Sequence, residues 1–123
     1  MWPFNERRHR KRYMVNWDAT VCCSFPNVEE KLQAEVVEIS MEGARILLPQ
    51  MQVGPYHLLV DNQSDQLELK IPLPEGPVRS QIIVKWYNLL DDDRLFTVGI
   101  EFLNMPDDSK SLLKEKFKNL KYS

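Results

Sequence analysis

Apolar and polar residues alternate along most of the chain, and this alternation predicts β-strands. In the stretch "ATVCCSF", Ala19, Val21 and Cys23 fall on one side of an extended chain, and the intervening residues fall on the other. Runs with the same period cover residues 32–39, 44–48, 55–62, 67–73, 78–89 and 95–102. Six or seven short strands separated by polar turns are typical of an antiparallel barrel or sandwich, which we predict here.

Two details of this pattern bear on where a site could lie. In the run 32–39, the apolar face changes from Leu32, Ala34 and Val36 to the adjacent Val37, which predicts a bulge or a sharp change of twist. In the run 78–89, Trp86 continues the row of Ile82 and Val84 and is therefore expected in the core.

The last segment of the chain changes to a helical period. In "MPDDSKSLLKEKFKNLKY", Leu113, Phe117 and Leu120 share one helical face, and Asp107 or Asp108 is expected to cap the first turn. We predict an all-β fold followed by a C-terminal helix. The predicted parts are a basic arm at residues 1–16, the barrel at 17–104 and the helix at 105–123, together forming one domain.

The charge distribution is strongly asymmetric. Residues 1–12 contain five basic residues and one acidic residue, a balance of +4, whereas residues 13–123 contain 11 basic and 17 acidic residues, a balance of −6. A body of this sign repels a long polyanion, so we expect no binding to DNA or RNA, although the arm can still hold a compact anion.

Apolar runs and cysteines indicate the compartment. No run approaches the roughly 20 apolar residues of a membrane-spanning helix, so we expect no membrane association. Cys22 and Cys23 are adjacent, point to opposite faces of a strand and cannot readily bridge each other. This usage of cysteine favours a reducing, cytoplasmic compartment.

Catalytic and metal-binding patterns are weak. His9 lies in the basic arm and His57 lies in an apolar run, so neither suits a nucleophile–histidine–acid triad. The two adjacent cysteines match no zinc-ligand spacing, and the four glycines form no phosphate-binding loop. We therefore expect neither an enzyme nor a resident metal or cofactor.

Two short motifs stand out from this background. The first is Arg8-x-x-x-Arg12 in the basic arm, with Arg7 beside it. The second is "EISMEG", residues 38–43, where the strand pattern breaks. Together with "VGIEF" at 98–102, they resemble the PilZ domain, a bacterial receptor module for cyclic di-GMP whose motifs are R-x-x-x-R and [D/N]-x-S-x-x-G. The resemblance runs from Arg7 to the end and implies a six-stranded antiparallel β-barrel, a flexible basic N-terminal arm and a C-terminal helix.

The resemblance also implies a ligand and the residues that bind it. The planar fork of arginine matches both a phosphate and the O6/N7 edge of guanine, the two groups that cyclic di-GMP presents. The residues carried over from the two motifs are Arg7, Arg8, Arg12, Glu38, Ser40 and Gly43. In this assignment the Ser40 hydroxyl contacts the ligand, and Gly43 permits a tight turn and gives the ligand room to approach.

Two further residues extend this expected site. Arg45 should face outward beside it, because Ala44 and Ile46 face inward. Trp86 stands where some family members pack an aromatic ring on the bound base, although its apolar row favours the core. Binding is expected to order the arm and to create a surface for a downstream partner protein.

The sequence departs from the family pattern at Glu38, where the family has Asp or Asn. The longer side chain moves the carboxylate outward and adds rotamer entropy, so we expect weaker binding than an aspartate would give. Two alternatives stay open. One is a PilZ-like adaptor that has lost the ligand and binds proteins, and the other is an RNA or single-stranded DNA binder that uses the arm.

Overall fold

A computed structural model describes residues 11–61, 65–90 and 94–120. Within these residues, the long strands are β1 (Tyr13–Phe25), β2 (Val28–Ile39), β3 (Gly43–Leu48), β6 (Leu67–Leu73), β7 (Gly76–Leu89) and β8 (Phe96–Leu103). A short hairpin of β4 (Gln52–Val53) and β5 (Tyr56–His57) follows β3, and helix α1 (Asp107–Phe117) follows β8.

The six long strands close into an antiparallel barrel in the order β1-β2-β3-β8-β7-β6. The predicted all-β barrel with a C-terminal helix is therefore confirmed. Alternating residues fill the interior, as in β3, where Ala44, Ile46 and Leu48 are at most 1% exposed. Closure leaves no free sheet edge in the barrel, so the outer surface of the strands is available for a site.

The helix α1 packs against β7 and completes the core. Leu113 is 0% exposed, and Phe117 stacks its ring on that of Tyr13 with the centroids 4.3 Å apart. The residue at the N-cap is Pro106 rather than either predicted aspartate, and no side chain caps the helix. Asp108 instead accepts a hydrogen bond from the neighbouring N–H of Ser109, at 2.8 Å. No helix within the described ranges is long and apolar enough to cross a membrane.

The boundary between arm and barrel lies earlier than predicted. β1 begins at Tyr13, which pairs with Ile39 of β2 and is 5% exposed. Residues 13–16 therefore belong to the barrel, because stacking on Phe117 gives Tyr13 a buried position that the sequence pattern around it did not indicate. The preceding residues 1–10, which hold most of the predicted basic arm, lie outside the described residues.

The predicted strand at 55–62 was wrong. Among the described residues of this segment, 55–61, only Tyr56 and His57 pair, and the chain then turns. The His57 ring nitrogen Nδ1 accepts hydrogen bonds from the N–H groups of Leu59 and Val60, at 3.1 and 3.4 Å, and the His57 N–H donates to Asp61 Oδ2 at 2.7 Å. These local side-chain bonds give the backbone an alternative to a strand ladder, and they override the apolar pattern.

Three irregularities interrupt the pairing of the barrel strands. One lies between Met14 and Trp17 of β1, and the two bulges described next lie in β2 and β7. The pairing of β2 with β3 shifts between Val36 and Glu38, which leaves Val37 as the extra residue and confirms the predicted bulge. The pairing of β7 with β8 shifts between Val84 and Trp86, which leaves Lys85 as the extra residue. A bulge changes which side chains face outward, and both lie beside the candidate site described below.

We predict that Leu113→Ala lowers the free energy of unfolding by about 2 to 5 kcal/mol, because it leaves a cavity where α1 meets the barrel. Leu89→Ala is the matched control, since Leu89 is 60% exposed and should lose less than about 0.5 kcal/mol. Urea unfolding followed by circular dichroism measures both. Equal losses in the two variants would contradict the packing of α1 described here.

Candidate functional site

The centre of the candidate site is the carboxylate of Glu38, which lies between two guanidinium groups. Arg45 Nε donates to Glu38 Oε1 at 3.3 Å, and Arg12 Nε lies 3.5 Å from Glu38 Oε2. The side chains of Glu38, Arg12 and Arg45 are 15%, 27% and 29% exposed, so the three charges are partly shielded from water. The cluster carries a net charge of +1 and occupies the outer surface of the barrel.

Three separate elements position these charges. Arg12 immediately precedes β1, Glu38 lies near the end of β2, and Arg45 lies in β3 directly opposite Glu38. The bulge at Val37 places Glu38 on the outer face, because Val36 before the bulge and Ile39 after it are both fully buried. Arg45 faces outward between buried neighbours, as the sequence predicted.

The same outer row continues across two more strands. Arg45 is opposite Gly99 of β8, and Gly99 is opposite Trp86 of β7. Glu38, Arg45, Gly99 and Trp86 therefore form a transverse row, which we call the outer row. The assignment of Trp86 to the Ile82–Val84 core row was wrong, because the bulge at Lys85 shifts the register and brings Tyr87 rather than Trp86 against the core.

Trp86 lies directly over Gly99. A Cβ atom at position 99 would overlap the indole ring, so the glycine is required for close packing. The indole Nε1 is buried and finds no hydrogen-bond partner within the described chain. Such a donor is unusual in a folded protein and often marks a site where another group binds.

The turn between β2 and β3 is built around Ser40. Its hydroxyl accepts hydrogen bonds from the N–H groups of Glu42 and Gly43, at 3.1 and 3.3 Å, and its own N–H donates to the Gly43 carbonyl at 2.9 Å. Ser40 is only 4% exposed. In this structure the side chain therefore holds the turn, and its contact with a ligand stays a prediction.

The structure requires glycine at position 43 for a different physical reason from the one that the sequence suggested. A Cβ atom at this position would overlap the carbonyl oxygen of Ile100 in β8, with which β3 pairs. The space that the missing side chain leaves is therefore filled by the backbone of β8, not left open for a ligand. Ser40 and Gly43 together fix the turn that follows Glu38.

The structure thus brings together Arg12, Glu38, Arg45 and Trp86, with the Ser40–Gly43 turn beside them. Arg7 and Arg8 lie outside the described residues. Sequence reasoning missed the bridging of Glu38 between the two arginines. Neither sequence motif indicates this bridge. Arg12 and Arg45 are 33 positions apart in the chain, and they come near the same carboxylate only because the strands pair.

Other reactive groups lie away from this row. Cys22 is half-buried and Cys23 is buried, and both are free thiols on opposite faces of β1, as predicted. Burial raises the pKa of the Cys23 thiol to about 11, which keeps it protonated and unreactive at neutral pH. In the parts of the chain that the structure covers, no group of His, Cys, Asp and Glu is arranged to hold a metal ion.

The fold is thus a closed β-barrel whose outer surface carries an arginine–carboxylate cluster and an aromatic ring. The model of the PilZ domain matches residues 6–118. This chain belongs to the PilZ domain family, whose members are ligand-binding receptor modules rather than enzymes. A comparison of the sequence with curated proteins finds no significant match.

Solved structures share this fold at low sequence identity. The Bacillus subtilis inhibitor of motility MotI is 16% identical, with a TM-score of 0.58 over 94% of this chain and 53% of its own. K. pneumonia MrkH in its apo state is 15% identical, with a TM-score of 0.64 over 98% and 53%. The Escherichia coli YcgR PilZ domain with c-di-GMP is 14% identical, with a TM-score of 0.56 over 93% and 91%.

These likenesses bear on the fold and on one expectation about partners. The chain spans about half the length of MotI and of MrkH. MrkH is described in another structure as a c-di-GMP-dependent transcription regulatory factor. The expectation that this chain binds no DNA, which rested on the acidic charge of the body, is therefore not supported, whereas the expectation for RNA stays a prediction.

We predict that Ser40→Ala lowers the free energy of unfolding by about 1 to 3 kcal/mol, because it leaves two N–H groups of the turn without an acceptor. Ser24→Ala is the control, since Ser24 is exposed near the far end of β1 and should change stability by less than about 0.5 kcal/mol. Urea unfolding measures both variants. A Ser40 variant as stable as the control would show that the hydroxyl does not hold the turn.

Proposed function

We propose that this chain is a receptor for cyclic di-GMP, which binds over the outer row between the N-terminal arm and the turn at residues 40–43. The observation that carries this proposal is the convergence of Arg12 and Arg45, from separate elements, at one point on the surface of a PilZ barrel. Two guanidinium groups held this close together suit a ligand with two phosphates and two guanines.

The arginines supply most of the binding free energy in this proposal. Arg12, with Arg7 and Arg8 from the arm, binds phosphate oxygens and guanine edges through paired N–H donors. Arg45 adds a further donor from β3. When the arm binds the ligand, the arm becomes ordered over the barrel. The ordered arm creates a new surface for a downstream protein.

The remaining site residues orient the base. Trp86 offers an aromatic face beside Arg45 for stacking on a guanine. Glu38 stands at the position where the family has an Asp or Asn that accepts hydrogen bonds from guanine. Ser40 and Gly43 contribute by fixing the turn that carries Glu38. No cofactor takes part, and a cytoplasmic location stays a prediction.

We predict that purified protein binds cyclic di-GMP with a micromolar or tighter Kd, and that the double variant Arg8→Ala, Arg12→Ala binds about 100-fold more weakly. Each arginine removed costs one or more charge-assisted hydrogen bonds to the ligand. The double variant Arg10→Ala, Lys11→Ala removes the same charge from the same segment and should change the Kd by less than about threefold. Isothermal titration calorimetry measures all three.

The same titration tests the proposal against other ligands. GTP, a short RNA and a short DNA duplex serve as competitors, and the proposal expects cyclic di-GMP to bind most tightly. No heat with cyclic di-GMP refutes the proposed function. Unchanged binding in the Arg8, Arg12 variant refutes the assignment of these residues, and steep salt dependence with RNA or DNA favours a nucleic-acid binder.

A ligand-free adaptor that binds proteins is the second candidate, and one observation favours it. Both Arg12 and Arg45 are already paired with Glu38, so the unliganded site is closed by the protein's own carboxylate. The adaptor predicts normal folding, no binding of cyclic di-GMP and a partner that is recovered equally with and without the nucleotide.

A further inference from the structure

We infer that Glu38 is an internal competitor of the ligand: its carboxylate occupies the phosphate-binding edges of Arg12 and Arg45 and must be displaced before an anion binds there. This inference rests on the proposed function and deepens it, because it names how the same site is restrained. In this inference Glu38 weakens ligand binding, whereas a residue that contacts the ligand directly would strengthen it. The two possibilities predict changes of opposite sign for one substitution.

The geometry of the two ion pairs supports competition. Both contacts use the Nε atom of the arginine, at 3.5 Å for Arg12 and 3.3 Å for Arg45. A bidentate contact with a phosphate on that side of a guanidinium uses Nε together with one terminal nitrogen. A carboxylate and a phosphate oxygen therefore require the same N–H group, and one must leave before the other binds.

The length of the glutamate side chain makes the bridge possible. Glu38 is opposite Arg45 on one side of β2 and opposite Met14 on the other, and Arg12 lies two residues before Met14. One carboxylate oxygen reaches across to β3 while the other reaches toward the start of β1. An aspartate at this position is shorter by one methylene and is less able to span both arginines, so the departure from the family motif is the feature that creates the bridge.

The charges around the bridge indicate the size of the effect. Glu38 is 15% exposed, so it is better shielded from water than either arginine, and its attraction to them is only partly screened. Partly exposed ion pairs are individually modest, and two of them together correspond to about a fivefold to tenfold change in affinity. The negative charge of Glu38 also repels an approaching phosphate, which acts in the same direction.

The test compares four full-length chains by calorimetry with cyclic di-GMP: the wild type, Glu38→Gln, Glu38→Asp and Glu29→Gln. Glutamine keeps the length and shape of Glu38 without its charge, so we expect about fivefold to tenfold tighter binding. Glu38→Asp should also bind more tightly than the wild type. Glu29→Gln removes the same charge from an exposed position at the other end of β2 and should bind as the wild type does.

The outcomes separate this inference from the proposed function. Binding that appears only in the Glu38 variants refutes the receptor function of the wild-type chain, and it shows that the Glu38 carboxylate keeps the ligand out of the site. Weaker binding of Glu38→Gln than of the wild type overturns the inference while leaving the receptor function intact, because the carboxylate then contacts the ligand itself. No binding by any of the four chains refutes the receptor function, and the inference fails with it.

A second measurement needs no ligand. In the unliganded protein, NMR signals of the Nε–H groups of Arg12 and Arg45, assigned with the single Arg→Lys variants, report directly on the bridge. In Glu38→Gln both signals should shift and their protons should exchange faster with water, whereas Glu29→Gln should leave them unchanged. Signals that are the same in the wild type and in Glu38→Gln would show that no bridge exists in solution, which overturns the inference.

Discussion

The register of the barrel strands is the constraint on which the whole candidate site depends. Every strand is paired on both sides, so each bulge changes which side chains face outward along the remainder of its strand. The bulge at Val37 places Glu38 outside the barrel, and the bulge at Lys85 does the same for Trp86. Without these two extra residues, the polar cluster and the aromatic ring would not meet on one outer row.

Within that register, the site has charges that neutralise one another. A carboxylate between two guanidinium groups stabilises all three charges where water is partly excluded, and it keeps the arginines oriented before any ligand arrives. The same contact is an obstacle to an anionic ligand. Glu38 therefore both orients the arginines for a ligand and occupies the N–H groups that the ligand needs. One methylene group makes this possible, because only the longer side chain of glutamate spans from β3 to the start of β1.

The residues that sequence reasoning placed correctly and those it misplaced differ in a physical way. Alternation is a local property, so the barrel strands and the buried face of α1 followed from it. The segment after Tyr56 did not, because hydrogen bonds to the His57 ring outweigh its apolar pattern. Tyr13 and Trp86 were misplaced for a related reason, since one is buried by a helix distant in sequence and the other is turned outward by a bulge. The glycine at position 43 is required by the Ile100 carbonyl of β8, a neighbour that the sequence around it does not reveal.

The sequence by itself determined the strand pattern, the C-terminal helix and the two motifs whose resemblance indicated the PilZ family. These depend on periodicity and on residue types at short spacing, which the chain displays without folding. The tertiary structure alone decided that Glu38 joins Arg12 to Arg45 and that Trp86 shares their surface. These contacts join residues far apart in the chain. They exist only because closure of the barrel brings β1, β2, β3, β8 and β7 side by side, in a register that the bulges set.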